Sequence, residues 1–139
     1  MRARRLAGDD ILNGDADDDL VFGQIGSDTV NGGPGNDQLW GNEQQDIITD
    51  PSGTNIINGG PGNDNLTGGI GPDSIFGDGD LLQAGNDTLN GGLGMDLIVG
   101  FAGVDTLIAN DGTADTVNGG AGIDTCLVDI GLDTVFNCP

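Results

Sequence analysis

Aspartate returns at one fixed phase of this 139-residue chain: Asp10, Asp19, Asp28, Asp37, Asp46, Asp64, Asp73, Asp87, Asp96, Asp105, Asp115, Asp124 and Asp133, with Asn55 the one amide in the series. The interval is nine residues, interrupted by a five-residue insertion around Gly79–Gln83 and one extra residue near Ala114. Carboxylates in such a series are oxygen donors for hard cations rather than acid–base catalysts. Catalytic carboxylates work as an isolated pair whose environments push their pKa values apart. The chain has no His, Lys or Tyr and only three serines, Ser27, Ser52 and Ser74, so no nucleophile–base constellation can be assembled and no catalytic residue is assigned. The lack of His and of clustered Cys argues against zinc and copper.

The elements that must position these carboxylates are legible two residues further on. There the chain reads Leu12, Val21, Val30, Leu39, Ile48, Ile57, Leu66, Ile75, Leu89, Ile98, Leu107, Val117, Cys126 and Val135, apolar without exception. Numbering each repeat one to nine, with Asp at six, puts this column at eight. Side chains alternate along a strand, so position eight points inward and positions seven and nine outward. The first six positions are too rich in Gly for a strand and fit a tight turn. Each nonapeptide is then a turn plus a three-residue strand, and two close a coil of 18 residues. Coils stack at about 4.8 Å, so seven make a rod of roughly 34 Å. One coil has almost no core, and stability must come from stacking. The expected fold is all-β, a two-sheet parallel β-solenoid. It forms one domain over residues 5–136, with residues 1–4 an N-terminal extension and residues 137–139 a C-terminal cap.

Stacking would bring every second repeat into register. One file then holds Asp10, Asp28, Asp46, Asp64, Asp87, Asp105 and Asp124, and the other holds Asp19, Asp37, Asn55, Asp73, Asp96, Asp115 and Asp133. Two unit charges about 5 Å apart repel by about 3 kcal/mol at an effective dielectric near 20. Such files need cations between their members. Calcium accepts six to eight oxygens in loose geometry, whereas magnesium demands a strict octahedron. The formal charge of -20 excludes nucleic acid and anionic membrane as natural partners and favours cations. High charge, 28 Gly and 35% hydrophobic residues also describe an acidic chain that stays disordered until that charge is neutralised. No run approaches the length of a membrane span. Residues 1–7 are basic without an apolar stretch behind them, so no signal peptide is legible.

The phrase is clearest in Gly32–Trp40 (GGPGNDQLW), Gly59–Thr67 (GGPGNDNLT), Gly68–Phe76 (GGIGPDSIF) and Gly91–Val99 (GGLGMDLIV). It resembles the RTX, or haemolysin-type, calcium-binding nonapeptide over about 95% of the chain. The resemblance implies a right-handed parallel β-roll with calcium between adjacent turns. The ligands it implies are the position-six side chains and backbone carbonyls of the turns. On this chain those turns contain Gly23, Gly26, Gly32, Gly33, Gly35, Gly59, Gly60, Gly62, Gly68, Gly69, Gly71, Gly91, Gly92, Gly94, Gly100, Gly103, Gly119, Gly120 and Gly122. Six gaps on each side would hold up to about 12 ions, bringing about +24 against the chain's -20. Weaker sites are expected beside Asn55, which lacks a carboxylate, and beside Gln44, where the turn GNEQQ lacks Gly at its second and fourth positions. In the insertion, Asp78 and Asp80 are expected to lie on a plain surface loop rather than add ligands.

Cys126 and Cys138 are the only cysteines. A disulfide between them, tying down the end of the roll, suits an extracellular acidic protein; a buried thiol plus a separate terminal thiol stays open at this level. Position nine gathers Phe22, Trp40, Phe76, Val99 and Phe136 on one outward face, a candidate surface for self-association or docking. The sequence reading is a secreted, non-enzymatic calcium-binding structural module. A filament or adhesin subunit, or the C-terminal repeat module of a secreted hydrolase or toxin, are the alternatives.

Overall fold

A computed structural model describes residues 2–4 (as backbone), 7–79 and 82–139. Arg5, which opens the first repeat, and Asp80 lie outside the described residues. Successive strands alternate between two parallel sheets. One sheet runs through Arg2–Arg4, Leu20–Ile25, Gln38–Glu43, Ile56–Asn58, Ser74–Phe76, Leu97–Val99, Thr116–Asn118 and Thr134–Phe136. The other runs through Ile11–Asn13, Thr29–Asn31, Ile47–Thr49, Asn65–Ile70, Thr88–Leu93, Thr106–Ala109 and Thr125–Val128. A short ladder pairs Ala102–Gly103 with Ala121–Gly122. The all-β solenoid of about seven coils expected from the period is what the chain forms.

The register follows the repeat. Val21 pairs Leu39, Leu39 pairs Ile57, and Ile57 pairs Ile75; on the other sheet Val30 pairs Ile48 and Ile48 pairs Leu66. Residues from Val21 to Val117 in this column are fully buried, and together with Leu12 and Ala109 they form one core. The column opens at its C-terminal end, where Val135 is 38% exposed. Two details depart from the expected geometry. Residues 2–4 are a strand, with Ala3 in register with Val21. Four strands, Leu20–Ile25, Gln38–Glu43, Asn65–Ile70 and Thr88–Leu93, continue past position nine into the glycines of the next turn. The stacked turns there still exchange hydrogen bonds, as Gly92 with Gly69 and Leu93 with Ile70, so Gly-rich sequence does not end the ladder.

The turns owe their shape to left-handed backbone at positions two and four. Gly33, Gly60, Gly69, Gly92 and Gly120 hold positive φ at position two, and Gly26, Gly53, Gly71, Gly94 and Gly103 at position four. Where Gly is missing φ stays positive: Asn42 has φ 77 and Gln44 φ 79. A side chain there costs roughly 1–2 kcal/mol, against which Gly gives back roughly 0.5–1 kcal/mol of chain entropy. Gln44→Gly is therefore expected to stabilise the folded protein by about 0.5–1 kcal/mol. Thermal unfolding checks it; a lower melting temperature would contradict the strain argument.

Candidate metal centres

The two files of position-six side chains exist and are tied together by hydrogen bonds. In the first file the backbone N–H of Asp10 donates to Asp28 Oδ1 at 2.8 Å, Asp28 to Asp46 at 2.7 Å, Asp46 to Asp64 at 2.7 Å and Asp64 to Asp87 at 2.9 Å. Asp87 donates to Asp105 at 2.9 Å and Asp105 to Asp124 at 2.9 Å. In the second, Asp19 donates to Asp37 at 2.7 Å, Asp37 to Asn55 Oδ1 at 2.9 Å and Asn55 to Asp73 at 2.7 Å. Asp73 donates to Asp96 at 2.9 Å, Asp96 to Asp115 at 2.8 Å and Asp115 to Asp133 at 3.0 Å. The carbonyl of each position-six residue in turn accepts from position seven of the next coil, as Thr29 to Asp10 and Gln38 to Asp19. These bonds hold every carboxylate at one height in its gap.

From Asp28 to Asp124 each carboxylate spends only one oxygen this way, whereas Asp133 at the last coil also accepts the Asp129 N–H with Oδ2. Oδ2 of Asp28, Asp37, Asp46, Asp64, Asp73, Asp87, Asp96, Asp105, Asp115 and Asp124 is buried and has no hydrogen-bond partner. A buried charged oxygen with no donor is strongly unfavourable unless a cation faces it. The space before these oxygens is kept open by glycine. A Cβ on position-one Gly23, Gly41, Gly59, Gly68, Gly77 or Gly100 would fall on Oδ2 of that repeat's own Asp and within 2.6–2.8 Å of the position-one carbonyl of the next coil. At positions two and four a Cβ on Gly33, Gly60, Gly62 or Gly71 would meet a carbonyl of the preceding coil. Each of these glycine turns is thus a pocket of carbonyl and carboxylate oxygens that no position-one, -two or -four side chain fills.

Electrostatics point the same way. Burial, then the charge of neighbouring acids, pushes Asp46, Asp73 and Asp87 up to about 7, and Asp64 to about 8. Asp105 and Asp115 rise to about 6 for the same reasons. Backbone N–H donors to Oδ1 oppose these rises without cancelling them. Among the described residues no group of three or more His, Cys, Asp or Glu converges as a side-chain cage. The donor set is a file of carboxylates among carbonyls. It suits a hard oxygen-seeking cation such as calcium, which tolerates many ligands in flexible geometry.

Two acids outside the position-six columns also reach these gaps. Asp78 is fully buried rather than on a surface loop, which corrects the expectation from sequence. Its Oδ2 accepts from the Gly85 N–H at 3.2 Å, and its charge adds to that felt by Asp64, Asp87 and Asp105. An insertion long enough to look like a loop tucks its first acid under the turn because Gly85 closes the coil over it. Asp50, at position one, is 2% exposed and was passed over in the sequence. In the sequence it is marked only as the one acid standing in the position-one column, which does not show what that acid faces. Position five carries a second set of hydrogen bonds. Asp9, Asp18, Asn36, Asn63 and Asn86 each accept a backbone N–H from the next coil at 2.8–2.9 Å, forming an outer ladder beside the metal files.

Cys126 and Cys138 form the expected disulfide, with Cα atoms 6.0 Å apart, and both pack against the C-terminal end of the core. Phe22, Trp40, Phe76, Val99 and Phe136 stand in one row across the first sheet. Phe22 stacks on Trp40 with ring centroids 5.0 Å apart, and Phe76 tilts against Phe101 at 6.3 Å. Most of that row is half-buried by such contacts, and Phe136 is 51% exposed.

Among curated proteins none matches the chain. The RTX calcium-binding nonapeptide repeat (4 copies) matches it at residues 6–30, 22–49, 52–80, 83–113 and 111–126. With stacked glycine turns, buried carboxylate files and that match over most of its length, the chain belongs to the family of RTX calcium-binding nonapeptide repeats.

Proposed function

We propose that this protein is a secreted, non-enzymatic structural module whose folding is driven by calcium. The observation that supports it most directly is the set of buried Oδ2 atoms without partners, ten of them in the position-six files. A carboxylate file of this kind is stable only with cations in its gaps, so metal binding and folding are one event. Position-six side chains from Asp10 to Asp133 and the carbonyls of the glycine turns are the proposed ligands, up to about 12 ions in all. Extracellular calcium modules work at about 10⁻⁴–10⁻³ M, far above cytosolic levels. The chain would therefore stay slack inside the cell and fold outside, where the Cys126–Cys138 disulfide persists.

A second reading, a self-assembling filament or adhesin subunit, is favoured by the open C-terminal end. There Leu127, Leu132, Val135 and Phe136 are 46%, 53%, 38% and 51% exposed. Strand edges of a stacked sheet pair readily with another copy. One experiment addresses both readings. Far-UV circular dichroism is followed during calcium titration, and the end point is sized by light scattering. A disordered spectrum in chelator and a cooperative transition at about 10⁻⁴–10⁻³ M calcium are expected. Full β-structure in chelator at neutral pH would overturn the folding role. A monomer at high concentration would remove the filament reading.

A further inference from the structure

The repeat Asp50–Asn58 differs from all others in two ways at once: an acid replaces Gly at position one, and an amide replaces Asp at position six. The structure shows why the changes belong together. In nine-residue repeats that carry Gly at position one, a Cβ there would fall on the position-six Oδ2, as at Gly23 on Asp28 and Gly59 on Asp64. In such a repeat a position-one side chain and a position-six carboxylate oxygen compete for the same space; Ala109, in a ten-residue repeat, and Val128, in the last, stand beside a retained Asp. Asn55 keeps the structural half of the role, since its Oδ1 accepts the Asp37 N–H at 2.9 Å, but presents Nδ2 in place of Oδ2. Asp50 supplies the missing charge. Its Oδ1 accepts the Ser52 N–H at 3.0 Å, and its Oδ2 is buried without a partner. That Oδ2 is the atom nearest to where a Cβ on Gly32 would stand, followed by Asp37 Oδ2. At Gly23, Gly41, Gly59 and Gly68 the neighbour from the following coil is instead a position-one carbonyl.

We infer that Asp50 is a relocated calcium ligand, which with Asp37 beside Gly32 binds an ion in the gap preceding Asn55. The second file then keeps seven carboxylates, Asp50 standing in for position 55. The weak stretch expected on both sides of Asn55 contracts to the single gap between Asn55 and Asp73, where an amide faces the site. The inference rests on the calcium-binding reading of the position-six files.

The test counts calcium ions on the intact chain by native mass spectrometry across a calcium titration. Asp50→Asn keeps the side-chain shape and the Oδ1 acceptor for Ser52 but loses the charge. It is expected to hold one ion fewer at the concentration that saturates the wild type, and to need at least tenfold more calcium to regain it. Asp64→Asn, in the other file, is the reference. If Asp64→Asn loses calcium and Asp50→Asn does not, the role of Asp50 is refuted while the position-six reading stands. If neither loses calcium, the position-six reading itself falls. Should Asp50→Asn not fold in calcium, the double variant Asp50→Gly with Asn55→Asp decides. A folded protein with the wild-type ion count supports the exchange of ligands. A lower count or failure to fold overturns it.

Discussion

Lowered to pH 5 in the presence of chelator, the protein is expected to show much more β-structure than it does in chelator at pH 7.5. Asp46, Asp73 and Asp87 rise to about 7 in the folded roll and Asp64 to about 8 because they are buried beside other acids. In the unfolded chain an Asp titrates at about 3.9. A carboxyl raised on folding favours the folded state fully below the unfolded value, and that contribution is lost as pH rises through the folded value. The window here runs from about 4 to 8. A rise from about 4 to about 7 corresponds to about 4 kcal/mol for one group, less what solvent and salt screening remove at the turn surface. Even about half of that, repeated over several acids, rivals the whole stability of an ordinary domain, about 5–15 kcal/mol. At pH 5 most of these groups are protonated in the roll and ionised in the unfolded chain, so protons do what calcium does at neutral pH. The value also lies above the isoelectric point near 4.1, which keeps the chain charged and soluble. Circular dichroism in chelator from pH 8 to 5 checks the expectation, and an unordered chain throughout would contradict it. The same linkage predicts that the calcium midpoint rises as pH falls, because protons and calcium compete for one set of oxygens.

Gly59→Ala is expected to raise the calcium midpoint at least tenfold and to destabilise the loaded protein by about 1–3 kcal/mol from crowding alone. The added methyl would fall on Asp64 Oδ2, with the Gly77 carbonyl 2.7 Å away, in the pocket that the cation shares. Gly59 is not among the residues with positive φ, so the effect comes from lost space around the oxygens rather than from backbone conformation. Gly79→Ala supplies the contrast. Its methyl would meet only the flexible end of Gln83, and the change is expected to stay within about 0.5 kcal/mol. Calcium titration and thermal unfolding of the two variants side by side separate the cases. Equal behaviour would show that the position-one glycines are turn formers and no part of the metal pocket.

Much of this molecule is legible without coordinates because a solenoid repeats its local rules. The column from Val21 to Val117 had to face inward: it is the one apolar position in every turn, and strand alternation leaves it no other side. The pairing of Asp28 with Asp46 rather than Asp37 follows from two repeats closing one coil. Asp78 and Asp50 were not legible in the same way. An insertion reads as a surface loop from composition, yet the Gly85 N–H holds Asp78 beneath the turn. Asp50 reads as a lost glycine, and its meaning depends on which oxygens surround Gly32 in the coil before it.

Periodicity by itself therefore determined the coil, its core, the two files of carboxylates and the need for a hard cation, because each follows from a nine-residue rule applied to neighbours along the chain. Only the tertiary structure decided which oxygen of each carboxylate is spent on the backbone and which is left for metal. It also decided that Asp50 and Asp78 reach the gaps and that the aromatic row is partly closed on itself. Those outcomes depend on contacts that form only when the coils close, between residues 18 or more positions apart in the carboxylate files and seven apart for Asp78 and Gly85, where a single Cβ decides whether an oxygen faces a neighbour or an ion.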